Sequence, residues 1–334
     1  MSALFLYMRR REFMAALGGA AVVGPRRAEA QDGRVRLIGW LDGNDESTES
    51  QPLTAVMRNE LANRGWIEGR NLKIERRVGA GDANRLQVLA VELVRLAPDA
   101  IIAGGAAPTR ALQRATQTIP IIFTQGGDAT ASDIVKNIAR PEGNATGFSS
   151  GEPTIGGKWL ELLKEAAPSV ARVAIVFNPD IAPTAPKYIA AIEIAAHALS
   201  VQTVKVPFRQ AIELVRSIDS FATELNGGLI MLPPPLIPDR VTVLNLAAQH
   251  RLPAIYPNRA HAAEGGLMSY SFDAADQHRR TASYVDRILR GAKVTELPVQ
   301  FPTRYKLVVN MRTAKAIGIT MPESFLLNAD EIIE

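Results

Sequence analysis

From Val35 onward, apolar runs of strand length alternate with amphipathic runs of helix length, and they do so in two successive series. Val35–Leu41, Ala100–Ala103, Ile119–Phe123, Arg172–Phe177, Val201–Val206, Gly228–Leu232, Pro253–Tyr256 and Gly266–Tyr270 read as strands, and so does the alternating run Asn71–Val78. Pro52–Arg64, Ala83–Leu96, Thr109–Thr116, Gly156–Ala167, Ala185–Leu199, Ala211–Leu225, Asp239–His250 and Asp273–Arg290 carry apolar residues at helical spacing, with a shorter helix over Ser132–Ala139. A final strand, Tyr305–Asn310, precedes a helix over Arg312–Ile317. Strands largely apolar along their length, each followed by a helix, require a parallel sheet covered on both faces. The class is α/β, and two such series predict two Rossmann-like lobes with parallel sheets.

The two series meet at Asn144-Ala-Thr-Gly-Phe-Ser-Ser-Gly151, a Gly/Ser/Thr-rich stretch suited to bending. It also holds Gly147-Phe148-Ser149-Ser150-Gly151, a match to the G-x-S-x-G nucleophile elbow of α/β hydrolases. An elbow needs the helix to start directly after the serine. Here Pro153 biases Glu152 toward an extended conformation and delays the helix. A triad also needs an acid and a histidine on separate loops, whereas Asp273, Asp276 and His278 fall in one helical run. The stretch therefore reads as a hinge, with a second irregular crossing at Gly291 and Pro298–Pro302.

The chain has no cysteine, which excludes disulfides, thiolate catalysis and cysteine-based metal sites. Its four histidines, His197, His250, His261 and His278, show no metal spacing and read mostly as surface residues. Gly79-Ala80-Gly81 lacks the third glycine of a dinucleotide fingerprint, because Asn84 stands there, and it does not follow the first strand. No cofactor is expected. Arg9-Arg10-Arg11-Glu12-Phe13, the apolar run Met14–Val23 and Ala28-Glu29-Ala30 form a twin-arginine export leader, cleaved after Ala30. That run is far short of the ~20 residues a membrane span needs. Met8 is an alternative start, since the residues before it add nothing a leader requires. Residues 1–30 carry five Arg and two Glu, so without them the 38 basic and 34 acidic residues fall to 33 and 32. The scattered basic residues argue against nucleic-acid binding.

In open α/β sheets, ligands bind beyond the carboxyl ends of the strands. Applied to both lobes, the rule sets two rims across a cleft. One wall takes the loops 42–47, 104–109 and 124–128, with Asp42, Asn44, Gly105, Ala107, Thr109, Gln125, Gly127 and Asp128 as candidate contacts. The other takes the loops 178–184, 232–235, 256–258 and 270–273, with Asn178, Pro233, Tyr256, Tyr270 and Asp273. Ser149 can donate to a ligand carboxylate from the hinge. Asp128 can pair with an ammonium group or cap the next helix. Thr109 can bind a carboxylate together with helix amides, or serve as the N-cap. Tyr256 and Tyr270 can stack on a planar ligand or seal a sheet end. Phe148 and Phe272 can wall the cleft or pack the hinge.

Several segments carry a family resemblance: Arg64-Gly-Trp-Ile-Glu-Gly-Arg-Asn-Leu72, Arg85-Leu86 with Ala90–Val94, Ile119-Pro-Ile-Ile-Phe123, Arg140-Pro-Glu-Gly-Asn-Ala-Thr-Gly147, Leu252-Pro-Ala-Ile-Tyr256 and Gly265-Gly-Leu-Met-Ser-Tyr270. Together they resemble the substrate-binding proteins of ABC transporters with the type I periplasmic binding protein fold, in the tryptophan/tyrosine-type subgroup. The resemblance runs from about Val35 to the end. It implies a periplasmic receptor that captures an amino acid or an aromatic or carboxylate compound and delivers it to an ABC permease in the inner membrane, acting as a monomer. The lobes it implies are 31–148 plus about 273–300, and 149–272 plus about 303–334, joined by a multi-strand hinge. The segment after Gly105, the Asp128 loop and the Asn178-Pro179 turn match the cleft-lining positions of the pattern. Relatives commonly carry an acid after the proline near Leu232; Pro233-Pro234-Pro235 stands here, which argues for a less polar second wall. Two other readings remain at this point: a secreted serine hydrolase using Ser149, and a ligand-sensing module for a membrane partner.

Overall fold

The computed structural model describes residues 34–43, 50–130, 133–233 and 237–334. The expected leader, its cleavage point and Asn44 lie outside them. Two sheets are present. The first has five strands: β1 (Arg36–Asp42), β2 (Leu72–Val78), β3 (Ala100–Gly104), β4 (Ile121–Thr124) and β5 (Ala145–Gly147), in the order β2-β1-β3-β4-β5. All its pairings are parallel. Helices α1 (Ser50–Asn63), α2 (Ala83–Arg95) and α3 (Ala106–Ala115) connect its strands.

The second sheet takes β6 (Arg172–Phe177), β7 (Gln202–Pro207), β8 (Gly227–Met231), β9 (Ala254–Tyr256), β10 (Met268–Phe272), β11 (Tyr305–Asn310) and β12 (Glu331–Ile333), in the order β12-β11-β10-β9-β8-β6-β7. Around it lie α4 (Ile155–Ala166), α5 (Ala185–Leu199), α6 (Ala211–Phe221), α7 (Ile237–Gln249), α8 (Arg259–Ala263), α10 (Met311–Ile317) and α11 (Glu323–Leu326). This sheet is parallel, as expected, at every pairing but one. β10 and β11 run antiparallel, because the chain leaves the sheet after β10 and returns from the other lobe.

The excursion is α9 (Ala274–Leu289), whose Ala282, Tyr284 and Val285 pack with Ile38, Trp40, Met57 and Leu61 of the first lobe. The core of each lobe thus has two apolar layers, one on each sheet face. Three segments connect the lobes: 148–154, residue 273 and 298–304. The Gly/Ser/Thr-rich stretch expected as a hinge is half sheet, since Ala145–Gly147 adds β5 beside β4. Asn144 anchors this edge by donating from Nδ2 to the carbonyls of Thr116 (3.1 Å) and Ile119 (2.9 Å). Gly147 has φ +151°, and a Cβ there would fall 2.0 Å from the Phe123 carbonyl oxygen, so only glycine closes this pairing.

The helix expected over Ser132–Ala139 does not form within 133–139, where the backbone makes turns. The Asn137 side-chain oxygen accepts from the amides of Ala139 and Arg140 at 3.0 and 3.1 Å, a local bond that competes with the helical ladder.

Candidate functional site

The carboxyl ends of β1, β3 and β4 open on a recess of about 460 Å³, counting the solvent at its mouth. Asp42, Gly43, Gly104, Thr124 and Gln125 line it from the strand ends, Leu53 and Thr54 from α1, Arg76 from β2 and His278 from α9, over the Trp40 ring. Parallel pairing in the order β2-β1-β3-β4 is what brings these ends together.

Its charge is internally balanced. Asp42 accepts from Arg76 at 2.7 Å and from Trp40 Nε1 at 2.9 Å. The Arg76 guanidinium lies 5.7 Å from the Trp40 ring centroid. His278 is buried rather than at the surface, and its Nδ1 donates to the Ala274 carbonyl at 2.7 Å. Burial lowers its pKa, against the opposing effects of that bond and the Asp42 charge. At neutral pH the ring is therefore uncharged, with Nε2 as its acceptor nitrogen.

Gln277, one residue earlier on α9, holds the crossings to this rim. It is buried; its Oε1 accepts from the Gln125 amide (3.2 Å) and its Nε2 donates to the Ser149 carbonyl (2.9 Å). Two crossings pair with each other, as the Ser149 amide donates to the Gln300 carbonyl and the Gln300 amide to the Gly147 carbonyl, both at 2.9 Å. Arg280 adds bonds to the Phe301 carbonyl and to Gln300 Oε1, both 3.0 Å, with its guanidinium 5.2 Å from the Phe148 ring.

Ser149 is not an elbow serine. It is buried, its hydroxyl donates to the Gly127 carbonyl, and α4 begins six positions later at Ile155. Gly127 also accepts from the Gly151 amide at 2.9 Å, and a Cβ on Gly151 would lie 2.5 Å from the Asp128 nitrogen. Asp128 does not cap a helix. Its carboxylate accepts from the Thr130 hydroxyl (2.7 Å) and, across the lobes, from Lys187 Nζ of α5 (2.8 Å).

Other expected contacts are placed differently. Thr109 is fully buried, with its hydroxyl donating to the Gly105 carbonyl at 2.6 Å, so it presents nothing to the cleft; the N-cap of α3 is Gly105. Ala107 is exposed on the first turn of that helix. Tyr256 is buried in the core of the second lobe, stacked on His261 with centroids 5.2 Å apart. His261 is likewise buried rather than at the surface. The Asn178 side chain accepts from the Asp180 amide at 3.0 Å, and Pro233 is partly exposed at the end of β8. The Asp273 carboxylate caps α9, accepting from the amides of Ala275 (2.9 Å) and Asp276 (3.1 Å), and lies 3.3 Å from Lys306 Nζ. Burial pushes its pKa up, but the two amides and the Lys306 ammonium outweigh burial and leave it lowered.

Tyr270 belongs to an aromatic group by the crossings. It stacks on Tyr305 at 5.5 Å, its carbonyl accepts from Trp159 Nε1 at 2.7 Å, and Trp159 stacks on Tyr188 at 5.5 Å. The Tyr305 hydroxyl donates to Glu152 on the first crossing. Burial, with the charges of Asp128 and Glu152, raises the Tyr188 pKa to about 12. Sequence reasoning did not select Trp40, Arg76, Gln277, Lys187 or Glu152, and it weighed His278 only as a triad member, a metal ligand or a surface residue. Among the described residues no three His, Cys, Asp or Glu side chains are grouped to hold a metal ion, and no helix is long and apolar enough to cross a membrane.

Comparison with known proteins agrees with this architecture. A tyrosine-binding protein of Clostridioides difficile (strain R20291) is 22% identical over 272 residues, covering 81% of this chain and 76% of that protein. A conserved domain protein from Vibrio cholerae has a similar structure (TM-score 0.76, 25% identity, 90% of this chain and 100% of that one). So does an ABC domain from Streptococcus pneumonia solved in complex with L-Trp (TM-score 0.77, 22% identity, 89% and 99%). Residues 54–333 match the family model for ABC transporter substrate binding proteins, a family of solute-binding proteins and not of enzymes. With two lobes, a recess at the strand ends and a match over most of its length, the chain belongs to the ABC transporter substrate binding protein family.

Proposed function

We propose that this protein is the periplasmic receptor of an ABC import system, which closes its two lobes on a small organic solute and presents it to a permease in the inner membrane. The observation that carries this reading is the recess where Asp42, Thr124 and Gln125 converge at the strand ends of the first lobe, beside crossings that Gln277 ties to the same rim. The moving bodies are residues 31–148 with about 273–300, and 149–272 with about 303–334. The packing of α9 against β1 and α1 supports that division. The twin-arginine leader at residues 1–30 exports the chain, which acts as a monomer. The relatives that bind tyrosine or L-Trp direct attention to aromatic solutes and carboxylates.

A bound solute raises the unfolding temperature of its receptor. A thermal-shift screen of aromatic acids, amino acids, nucleosides and sugars is therefore expected to return at least one stabilising compound, with the Kd then measured by calorimetry. Gln125→Ala and Arg76→Gln are each expected to weaken that compound tenfold or more while the far-UV spectrum stays unchanged. Silence from the whole screen, or unaltered affinity in both variants, refutes the assignment of this recess.

A further inference from the structure

Four aspartates stand at or just after the carboxyl ends of rim strands, and each already faces a cation supplied by the chain. Asp42 of β1 bonds Arg76 at 2.7 Å, and Asp128 after β4 bonds Lys187 at 2.8 Å. Asp180 after β6 bonds Arg209 at 3.1 Å, and Asp273 after β10 faces Lys306 at 3.3 Å. We infer that the cleft selects solutes without a cationic group, neutral molecules or carboxylates, and discriminates against α-amino acids. The inference rests on the receptor reading above; Asp42 lines the recess itself, while Asp128, Asp180 and Asp273 follow β4, β6 and β10 outside its lining.

The physical argument is competition. A solute ammonium gains from a carboxylate only what remains after the resident cation has been displaced and rehydrated. Asp128 is the decisive case, because its partner comes from the opposite lobe. Lys187 reaches across from the first turn of α5, so a built-in ammonium bridges the lobes and already occupies the Asp128 carboxylate. The Asp128 side chain is only 13% exposed, so its charge is partly desolvated and the bond is directional. Lys187 is 57% exposed, which keeps the pair weak and the expected effect of removing it modest, about fivefold. Asp42 is harder to compete for, since Trp40 Nε1 and Arg76 both donate to it inside the recess. Neutral His278 adds no positive charge that would require a second anion.

The test uses matched pairs that differ by one amino group: L-tryptophan and indole-3-propionate, L-phenylalanine and 3-phenylpropanoate, L-leucine and 4-methylpentanoate. Calorimetry on the mature protein is expected to show the deaminated member binding at least tenfold more tightly in whichever pair binds. Lys187→Met removes the resident ammonium from Asp128, which keeps its Thr130 bonds, and is expected to narrow the gap about fivefold by improving the amino acid. Lys187→Gln, which keeps a polar side chain, is expected to do the same. Equal or tighter binding of the amino acids by the unmodified protein overturns the inference and leaves the receptor reading intact. An unchanged ratio in both Lys187 variants overturns the role given to the Asp128–Lys187 pair. No binding by any of the six compounds overturns the inference, and the receptor reading falls with it only if the sugars and nucleosides are silent too.

Discussion

His261 sits on α8 with its ring against Tyr256, and its Nδ1 donates to the Asn258 carbonyl at 3.1 Å. Burial drives its pKa down to about 4, against the pull of that carbonyl, and the Arg240 charge pushes in the same direction as burial. The unfolded chain binds a proton at this ring near pH 6.5, whereas the folded chain does so only near pH 4. Stability is therefore fully present above about pH 6.5 and is lost as the pH falls toward 4. The loss is roughly 3 kcal/mol at 1.36 kcal/mol per pH unit. Urea denaturation at a series of pH values is expected to show this acid limb, and His261→Gln to flatten it. The lowered pKa of His278 acts with the same sign in both proteins, so the difference between them isolates His261. An unaltered slope in the variant would remove the burial argument.

At the scale of elements, the junction of β5 with the crossings is where sequence and structure part. Ala185–Leu199, Arg172–Phe177 and Tyr305–Asn310 are bounded in the structure where their periodicity ends in the sequence. The apolar run inside each strand and the helical spacing of Ala185–Leu199 leave no competing pattern. β5, β12 and α8 are too short to carry a period, and the antiparallel step from β10 to β11 has no sequence signature because side-chain alternation does not encode strand direction. The same limit governs the site. Asp42 and Gln125 were legible because the strand-end rule is local. Trp40 and Arg76 lie within strands, and His278 and Gln277 lie on a helix that returns from the other lobe; only tertiary packing brings them to the rim. Two substitutions test that junction. Gln277→Leu keeps the volume but leaves the Gln125 amide and the Ser149 carbonyl unpaired, at a cost of about 1–3 kcal/mol. Gly147→Ala combines a positive φ with a backbone clash and is expected to cost at least about 3 kcal/mol. Guanidinium denaturation ranks the two, and a neutral Gly147→Ala would mean that β5 is not held against β4 as described.

For the whole molecule, the proposed receptor role turns on relative motion of the lobes. Three crossings tied by main-chain pairs and by Arg280 can bend together but cannot separate, which favours a hinge about one axis over independent tumbling. On the proposed reading, a solute shifts an open–closed equilibrium only by its differential affinity for the closed form, which calls for contacts with both rims. The absence of native cysteine permits a direct measurement. Val88 on α2 and Ile194 on α5 are exposed apolar residues, one in each lobe, and a cysteine at either disturbs no core contact. With nitroxide labels on Val88→Cys and Ile194→Cys, electron–electron resonance is expected to show a broad distance distribution that sharpens and shifts by several ångströms when the stabilising solute is added. Lys187→Met, which removes one bond between the lobes, is expected to broaden the ligand-free distribution while leaving the saturated one in place, because solute contacts then supply the bridge. A distribution indifferent to a solute that demonstrably binds would place binding within one lobe and remove closure from the mechanism.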